Sequence, residues 1–171
     1  MHSAFGLALA TGLLIAAPAR AEMLPSTPES VVEAAVDCWQ AANATAVDEP
    51  GLRAKGWTIA TMSAADGKPI SSTLRAYGKT GSSAMLMVSA QADPRGCIVV
   101  ARLNKLTDIA ATAQLLLQRL TALDAKVEGK RVSPSEIAYF LLPKAAMLRV
   151  TGSPEKPGTS IQVSYTAPEK K

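Results

Sequence analysis

Histidine is almost absent from this chain, and its absence excludes several classes of active site. The 171-residue sequence contains one histidine, His2, in a segment that we expect to be removed. Without an imidazole, the rest of the chain lacks the base of a Ser–His or Cys–His pair and the commonest metal ligand. The acidic residues form no Asp-x-Asp calcium loop. We therefore expect neither a metal ion nor a cofactor.

Long apolar runs are also missing. The apolar run over 4–17 is shorter than the roughly 20 residues that a membrane-spanning helix needs. Pro18 interrupts it, and Ala19-Arg20-Ala21 supplies the small-x-small pattern of a signal-peptidase site. The pattern predicts that 1–21 is a cleaved signal peptide, and the alternative is a buried core helix. We expect a periplasmic or secreted protein, with no transmembrane segment in the mature chain; the alanine-rich composition is typical of GC-rich bacteria.

No linker or internal repeat divides the remainder of the sequence. Residues 22–171 contain no Gly/Ser-rich or Pro-rich stretch that would separate two domains. A chain of this length buries about 70% of its unfolded surface when it folds as one unit. The sequence therefore predicts a single exported domain over 22–171.

Cysteine is scarce, and its two copies have a simple interpretation. Cys38 and Cys97 are the only cysteines, and neither belongs to a Cys-x-x-Cys redox motif. In an oxidising compartment an even number of cysteines indicates a disulfide. The alternative, two unrelated buried thiols, would suit a cytosolic protein. We predict a structural Cys38–Cys97 bridge.

The order of apolar patterns predicts an α+β domain. Thr27 and Pro28 mark the start of a first helix, and Ser133-Pro134-Ser135-Glu136 has the spacing of a capping box that would start a short helix. The predicted helices are 28–44, 108–123 and the short 134–142, and the predicted strands are 57–63, 70–77, 84–90, 97–103, 146–151 and 160–166. Short hairpins between strands indicate a mostly antiparallel sheet. We predict a two-layer sandwich of about six strands with two main helices on one face, in the order α-β-β-β-β-α-(short α)-β-β.

Three local features add to this prediction. The near-continuous apolar runs at 84–90 and 97–103 are typical of strands covered on both faces. Residues 93–96, Asp-Pro-Arg-Gly, match a type I turn. Asp48 and Glu49 stand beside Pro50 and suggest a solvated linker rather than a catalytic pair.

Charge is divided unevenly along the chain. Residues 22–50 contain six acidic residues and no Lys or Arg, whereas 51–171 contain 17 basic and eight acidic residues. One interpretation is an acidic helix lying across a basic body, and the other is a basic surface open to an anionic partner. No basic-aromatic motif is present, so we do not expect nucleic acid as a partner.

Polar residues alternate along two of the predicted strands and define a candidate binding site. Arg75 and Tyr77 share one face of the second strand, and Arg149 lies in the fifth strand. If these faces coincide, the side of the sheet away from the helices carries two arginines beside hydroxyl groups, which suits phosphate or carboxylate recognition. The alternative is an ordinary solvated sheet face. Arg75, Tyr77 and Arg149 are the candidate binding residues.

These observations favour a non-catalytic exported binding protein. Its partner would be an envelope protein or an anionic glycan or lipid. One alternative is a small exported enzyme that uses Ser/Lys or carboxylate chemistry without histidine or metal. Another is a carrier of a small apolar ligand held between the sheet and the helices.

Overall fold

The computed structural model describes residues 23–43, 46–61, 73–89, 96–123, 126–130, 136–141, 147–155 and 158–166. These residues form three helices and eight strands. In chain order they are α1 (Pro28–Ala41), α2 (Glu49–Ala54), β1 (Trp57–Ala60), β2 (Leu74–Lys79), β3 (Met85–Ser89), β4 (Cys97–Leu103), α3 (Thr107–Ala122), β5 (Glu128–Lys130), β6 (Glu136–Leu141), β7 (Met147–Glu155) and β8 (Gly158–Thr166). The strands form one sheet in the order β1-β2-β3-β4-β8-β7-β6-β5. Every neighbouring pair is antiparallel.

The predicted α+β class is confirmed, but the sheet has eight strands rather than about six. The predicted short helix over 134–142 is wrong, because Glu136–Leu141 forms β6. This strand pairs with β5 on one side and with β7 on the other. Ile137, Tyr139 and Phe140 are residue types that favour strands. Two partner strands together outweigh the capping pattern, which is a purely local signal.

One topological unit occurs twice in the chain. A helix followed by a four-stranded antiparallel meander is formed first by α1 with β1–β4 and then by α3 with β5–β8. The last strands of the two units, β4 and β8, pair with each other, so the strand order is symmetric about this pair. Helices α1 and α3 also pack against each other. The sequence shows no matching repeat, so the symmetry belongs to the topology alone.

Helix α2 occupies the segment that the sequence suggested as a linker. Asp48 is its N-cap, and the Asp48 carboxylate accepts a hydrogen bond from the Gly51 N–H at 3.0 Å. Pro50 lies in the first turn, where a missing N–H costs nothing. Leu52 is fully buried and holds the helix on the core. The acidic pair beside a proline is therefore a helix start.

Several strand boundaries differ from the predicted ones. Strand β4 has the predicted bounds. Strand β7 continues to Glu155 and β8 begins at Gly158, so most of the segment between the strands predicted at 146–151 and 160–166 is itself strand. Glu155 and Gly158 are themselves register partners. The type I turn predicted at 93–96 lies almost entirely outside the described residues.

The main core lies between the helices and one face of the sheet. Leu86, Val99, Val163 and Val150 follow one another in register across four strands, and each is at most 1% exposed. Along β4, the residues between these buried positions stay half-buried. The expectation that 84–90 and 97–103 are covered on both faces is therefore wrong for the described part of the chain, because all three helices lie on the same side.

The predicted disulfide is confirmed. Cys38 of α1 and Cys97 of β4 are bonded, with their Cα atoms 5.7 Å apart, and both residues are fully buried. The bond ties the first helix to the middle of the sheet. Helix α3 packs on the same face of the sheet, where a Cβ at Gly152 of β7 would come within 2.0 Å of Ile109 Cδ1. A larger residue at position 152 would therefore force the Ile109 side chain to move.

The segment that follows the predicted cleavage site is part of the folded domain. Pro25 forms a parallel bridge with Arg102 near the end of β4, and the Ser26 N–H donates to the Arg102 carbonyl oxygen at 2.6 Å. The Arg102 guanidinium donates to the Met23 carbonyl oxygen at 3.3 Å. Ser26 is 3% exposed. The domain therefore includes residues within two positions of the predicted mature N-terminus.

Candidate functional site

The three predicted site residues lie on opposite faces of the sheet. Tyr77 and Arg75 are register partners of Leu86 and Val88, both of which are buried under the helices. Arg149 is the partner of Ser164, which alternates with the buried positions of β8. The structure therefore places Arg75 and Tyr77 on the helix-covered face and Arg149 on the other. The expected meeting of Arg75 and Arg149 on one face is wrong.

Arg75 and Tyr77 instead hold helix α2 against the sheet. Glu49 Oε2 accepts a hydrogen bond from Arg75 Nη1 at 2.9 Å and another from the Tyr77 hydroxyl. Tyr77 is fully buried. Burial raises the pKa of the Tyr77 hydroxyl, and its hydrogen bond to the Glu49 carboxylate raises it further. In this structure the Arg75 charge is matched from within the chain, by an acidic residue of the 22–50 segment.

A second polar cluster surrounds Asp37 of α1. The Asp37 carboxylate accepts hydrogen bonds from Lys55 Nζ at 2.8 Å and from the Trp57 indole Nε1 at 2.9 Å. Lys79 Nζ lies 3.7 Å from the same carboxylate and 2.6 Å from Glu33 Oε1. The ammonium of Lys79 also lies 5.7 Å from the centre of the Trp57 ring, within cation–π range. The cluster joins α1, the end of α2 and two strands.

These clusters account for part of the charge asymmetry. Their ion pairs join acids within 33–49 to bases within 55–79. The acidic N-terminal part of the chain therefore lies across basic residues of the first half of the sheet. The interpretation as an acidic helix on a basic body is confirmed for these pairs.

We expect the two clusters to weaken folding at alkaline pH. The pKa of Lys79 is raised, chiefly by its hydrogen bond to Glu33, and the pKa of Tyr77 is raised by burial. Both groups keep their protons to higher pH in the folded state, so their stabilisation is complete below the ordinary values of 10.5 and 10.0 and is lost as pH rises above them.

Urea denaturation at a series of pH values measures this effect. The free energy of unfolding should change little between about pH 8 and pH 9.5 and fall steeply near pH 11. In a Tyr77→Phe/Lys79→Gln variant the alkaline fall should be shallower. An equal fall in this variant would contradict the assignment to Tyr77 and Lys79.

None of the described helices covers the other face of the sheet. On this face the side chains of β2–β4 are mostly apolar, with Ser89 and Arg102 as exceptions, and those of β7 and β8 are mostly polar, with Met147 as an exception. We call this face the open face. Its apolar half lies on β2–β4 and its polar half on β7 and β8. The apolar residues are Leu74, Ala76, Met85, Met87, Ile98 and Val100, and the polar residues are Arg149, Thr151, Ser160, Gln162 and Ser164. The two halves meet where Ile98 pairs with Ser164 and Val100 with Gln162. Most of these side chains are half-buried, but Ala76 is only 2% exposed.

The apolar half was not predicted from the sequence, because its apolar residues were interpreted as part of strands that are covered on both faces. The runs at 84–90 and 97–103 contain an apolar residue at nearly every position, which suggested cover on both faces. In the structure, Met85, Met87, Ile98 and Val100 alternate with the buried core positions. The sequence signal that could have predicted this surface is the apolar residue at every second position, between the core positions of these two runs.

A groove of about 380 Å³ runs between α1 and α3 on the outer side of the helical layer. Val32 and Glu33 line it on one side, and Leu115 and Arg119 line it on the other. Glu33 already pairs with Lys79.

Within the described ranges, no group of three His, Cys, Asp or Glu side chains is placed to hold a metal ion. In the same part of the chain, no helix is long and apolar enough to cross a membrane.

Comparisons with known proteins identify no relative. No protein-family model matches the chain. No curated protein and no solved structure matches it significantly either. Any function assigned to this chain therefore rests on its own residues and on their placement in the fold.

Proposed function

We propose that this chain is an exported, non-catalytic binding protein that takes a ligand on the open face of its sheet. The ligand is a small amphiphile with an apolar body and one anionic group. The observation that carries the proposal is the boundary between the two halves along the β4–β8 pair. There, Ile98 is the register partner of Ser164, and Val100 is the register partner of Gln162. A surface that is apolar on one side and polar on the other suits a ligand that has an apolar part and a polar part. The Arg149 guanidinium gives the polar half its positive charge.

Two features support export. The pattern of 1–21 is that of a signal peptide, and the buried Cys38–Cys97 disulfide is compatible with an oxidising compartment. Met23 and Pro25, which follow the predicted cleavage site closely, contact Arg102 and so belong to the folded domain. A periplasmic or secreted location follows as part of the proposal.

The positions of the other charged groups favour binding over catalysis. Lys55 and Lys79, the lysines near carboxylates in the described clusters, are both held in ion pairs. The raised pKa of Lys79 makes it a poor general base at neutral pH. The space between sheet and helices is filled by core residues such as Leu86, Val99 and Leu116, which are fully buried. The open face is thus a better place for an apolar ligand than the interior.

An anionic apolar dye tests the proposed surface. The full chain is expressed with export, purified under oxidising conditions and titrated with 1-anilinonaphthalene-8-sulfonate. We expect saturable binding by the folded protein, and at least tenfold weaker binding by Met87→Glu, because the new carboxylate repels the sulfonate and removes apolar contact. Ile59→Glu is the matched control, since Ile59 is 56% exposed on the helix-covered side of β1. It should bind the dye like the wild type.

Two outcomes would overturn the proposal. Equal dye binding by Met87→Glu and the wild type, with unchanged melting temperatures, would remove the open face as the binding surface. An intact mass that still includes residues 1–21 would contradict cleavage of the signal peptide, and with it the export on which the proposal depends.

A further inference from the structure

We propose that the groove between α1 and α3 binds a free α-amino acid with an apolar side chain. Glu29 receives the ammonium group of the ligand, Arg119 receives its carboxylate, and the apolar side chain lies on the floor of the groove. The groove belongs to the outer side of the helical layer, whereas the open face lies on the other side of the sheet. This second site is therefore independent of the proposed function.

The two walls of the groove come from opposite ends of their helices. Glu29 lies in the first turn of α1, and Arg119 lies in the last turn of α3. Both residues line the same groove, so the N-terminal half of α1 lies beside the C-terminal half of α3. The helix dipoles favour an acid and a base at these two positions. This packing places a carboxylate and a guanidinium on facing walls.

These two charges are not matched from within the part of the chain that the structure describes. There, the Glu29 carboxylate and the Arg119 guanidinium belong to none of the ion pairs or side-chain hydrogen bonds. Both residues are exposed. Glu33, the other acid of the groove, is instead held by Lys79 at 2.6 Å. Glu29 and Arg119 are therefore the charges of the groove that a ligand can reach.

The floor of the groove is apolar. Val32 is 4% exposed and belongs to the core, and Leu115 packs against the core from α3. Ala122 lines the groove in the last turn of α3, where its short side chain leaves space. The volume of about 380 Å³ lies in the usual range of small-ligand sites, roughly 300–1,000 Å³. The groove therefore has both the room and the surface for a branched apolar side chain.

The width of the groove matches the short distance between the two charges of an α-amino acid. Packed helices have axes about 8–10 Å apart, so groups that extend from the two walls are separated by a similar distance. In an α-amino acid the ammonium nitrogen and the carboxylate carbon lie about 2.5 Å apart. With a hydrogen bond of about 2.8 Å at each end, the ligand spans about 8–9 Å. A dipeptide is longer by about 3.5 Å and exceeds this width.

The polar groups of the walls fit the two ends of the ligand. The Arg119 guanidinium matches the two oxygens of a carboxylate with two parallel hydrogen bonds, and the neighbouring Gln118 amide offers a further donor. On the facing wall, the Glu29 carboxylate accepts hydrogen bonds from an ammonium group. A ligand with a single charge leaves one wall unmatched, so full affinity needs both charges.

Calorimetric titration of the oxidised wild-type protein with leucine tests the inference. Leucinamide, which lacks the carboxylate, and 4-methylpentanoate, which lacks the ammonium group, are the matched ligands. We expect saturable binding of leucine and at least tenfold weaker binding of each singly charged analogue, because a hydrogen bond to a charged group is lost. No saturable binding of leucine, or equal binding of the three compounds, would overturn the proposal. Tighter binding of the dipeptide Leu-Leu than of leucine would overturn it in favour of a peptide site.

Substitutions on the two walls assign the two ends of the ligand. Arg119→Gln should remove the preference for leucine over leucinamide and keep the preference for leucine over 4-methylpentanoate, whereas Glu29→Gln should do the reverse. Arg53→Gln is the matched control, because Arg53 lies in the last turn of α2 and outside the groove. It should keep both preferences. Preferences that survive in both wall variants would overturn the proposed orientation.

A steric variant tests the position of the site. Ala122 is exposed, so Ala122→Phe fills the groove from its surface and should abolish leucine binding with an unchanged melting temperature. Ala110→Phe is the control, because Ala110 is also exposed but lies about 120° around the helix from Ala122. Leucine binding that persists in Ala122→Phe would overturn the assignment to this groove. Met87→Glu should still bind leucine, so failure at one site is distinguishable from failure at the other.

Discussion

Removing the disulfide with Cys38→Ala/Cys97→Ala is expected to lower the free energy of unfolding by about 4 kcal/mol. The bridge closes a loop between residues 59 positions apart, and a cross-link of that span restricts the unfolded chain strongly. A domain of this size has a total stability of about 5–15 kcal/mol, so the loss is a large fraction of it. The variant also leaves a small cavity, because both cysteines are fully buried.

Urea denaturation of the oxidised wild type and of the double variant measures this loss. The single variants Cys38→Ala and Cys97→Ala are the controls, since each breaks the same bond. Each should lose nearly as much stability as the double variant. If the double variant were as stable as the oxidised protein, the bond would have no structural role, and its place in the proposal of export would fall with it.

Asp37→Ala is expected to lower the free energy of unfolding by about 3 kcal/mol. The Trp57 indole N–H, on a residue that is 1% exposed, would lose its acceptor. A buried donor without a partner carries the full cost of desolvation. Lys55 and Lys79 would lose a common carboxylate at the junction of α1, α2 and the sheet.

A neighbouring acid on the same helix supplies the control. The side chain of Glu33 is 62% exposed and pairs with Lys79 at 2.6 Å. Glu33→Ala should therefore cost less than about 1 kcal/mol, as exposed ion pairs do. Asp37→Asn keeps one acceptor oxygen for the indole and should lie between the two alanine variants. Urea denaturation measures the loss in the free energy of unfolding for each variant. Equal losses for Asp37→Ala and Glu33→Ala would contradict the prediction that the buried Asp37 carboxylate stabilises the fold more than the exposed Glu33 carboxylate.

The candidate site illustrates how far local patterns reach. Alternation along single strands predicted that Arg75 and Tyr77 point the same way, and the structure agrees. Whether Arg149 joins them depends on the register through β3, β4 and β8, which separate β2 from β7 in the sheet. A shift of one residue at any of these pairs moves a side chain to the other face. The sequence of β2 and β7 contains no information about those intervening pairs.

The features that the sequence determined by itself are those whose signals lie within a few residues. Thr27 accepts a hydrogen bond from the Ser30 N–H and Pro28 opens α1, as predicted, and β4 has its predicted bounds. The even number of cysteines, together with the expectation of export, was likewise enough to predict the Cys38–Cys97 bond.

Only the tertiary structure decided the features whose partners are distant in the chain. The segment at 136–141 is a strand because β5 and β7 supply hydrogen bonds on both sides, although its own start resembles a helix cap. The pairing of β4 with β8 brings Ile98 and Val100 beside Ser164 and Gln162 and so creates the two halves of the open face. The backbone hydrogen bonds between β4 and β8 join segments about 60 residues apart in the chain. Their contribution to stability depends on both strands, so no pattern within one strand predicts it.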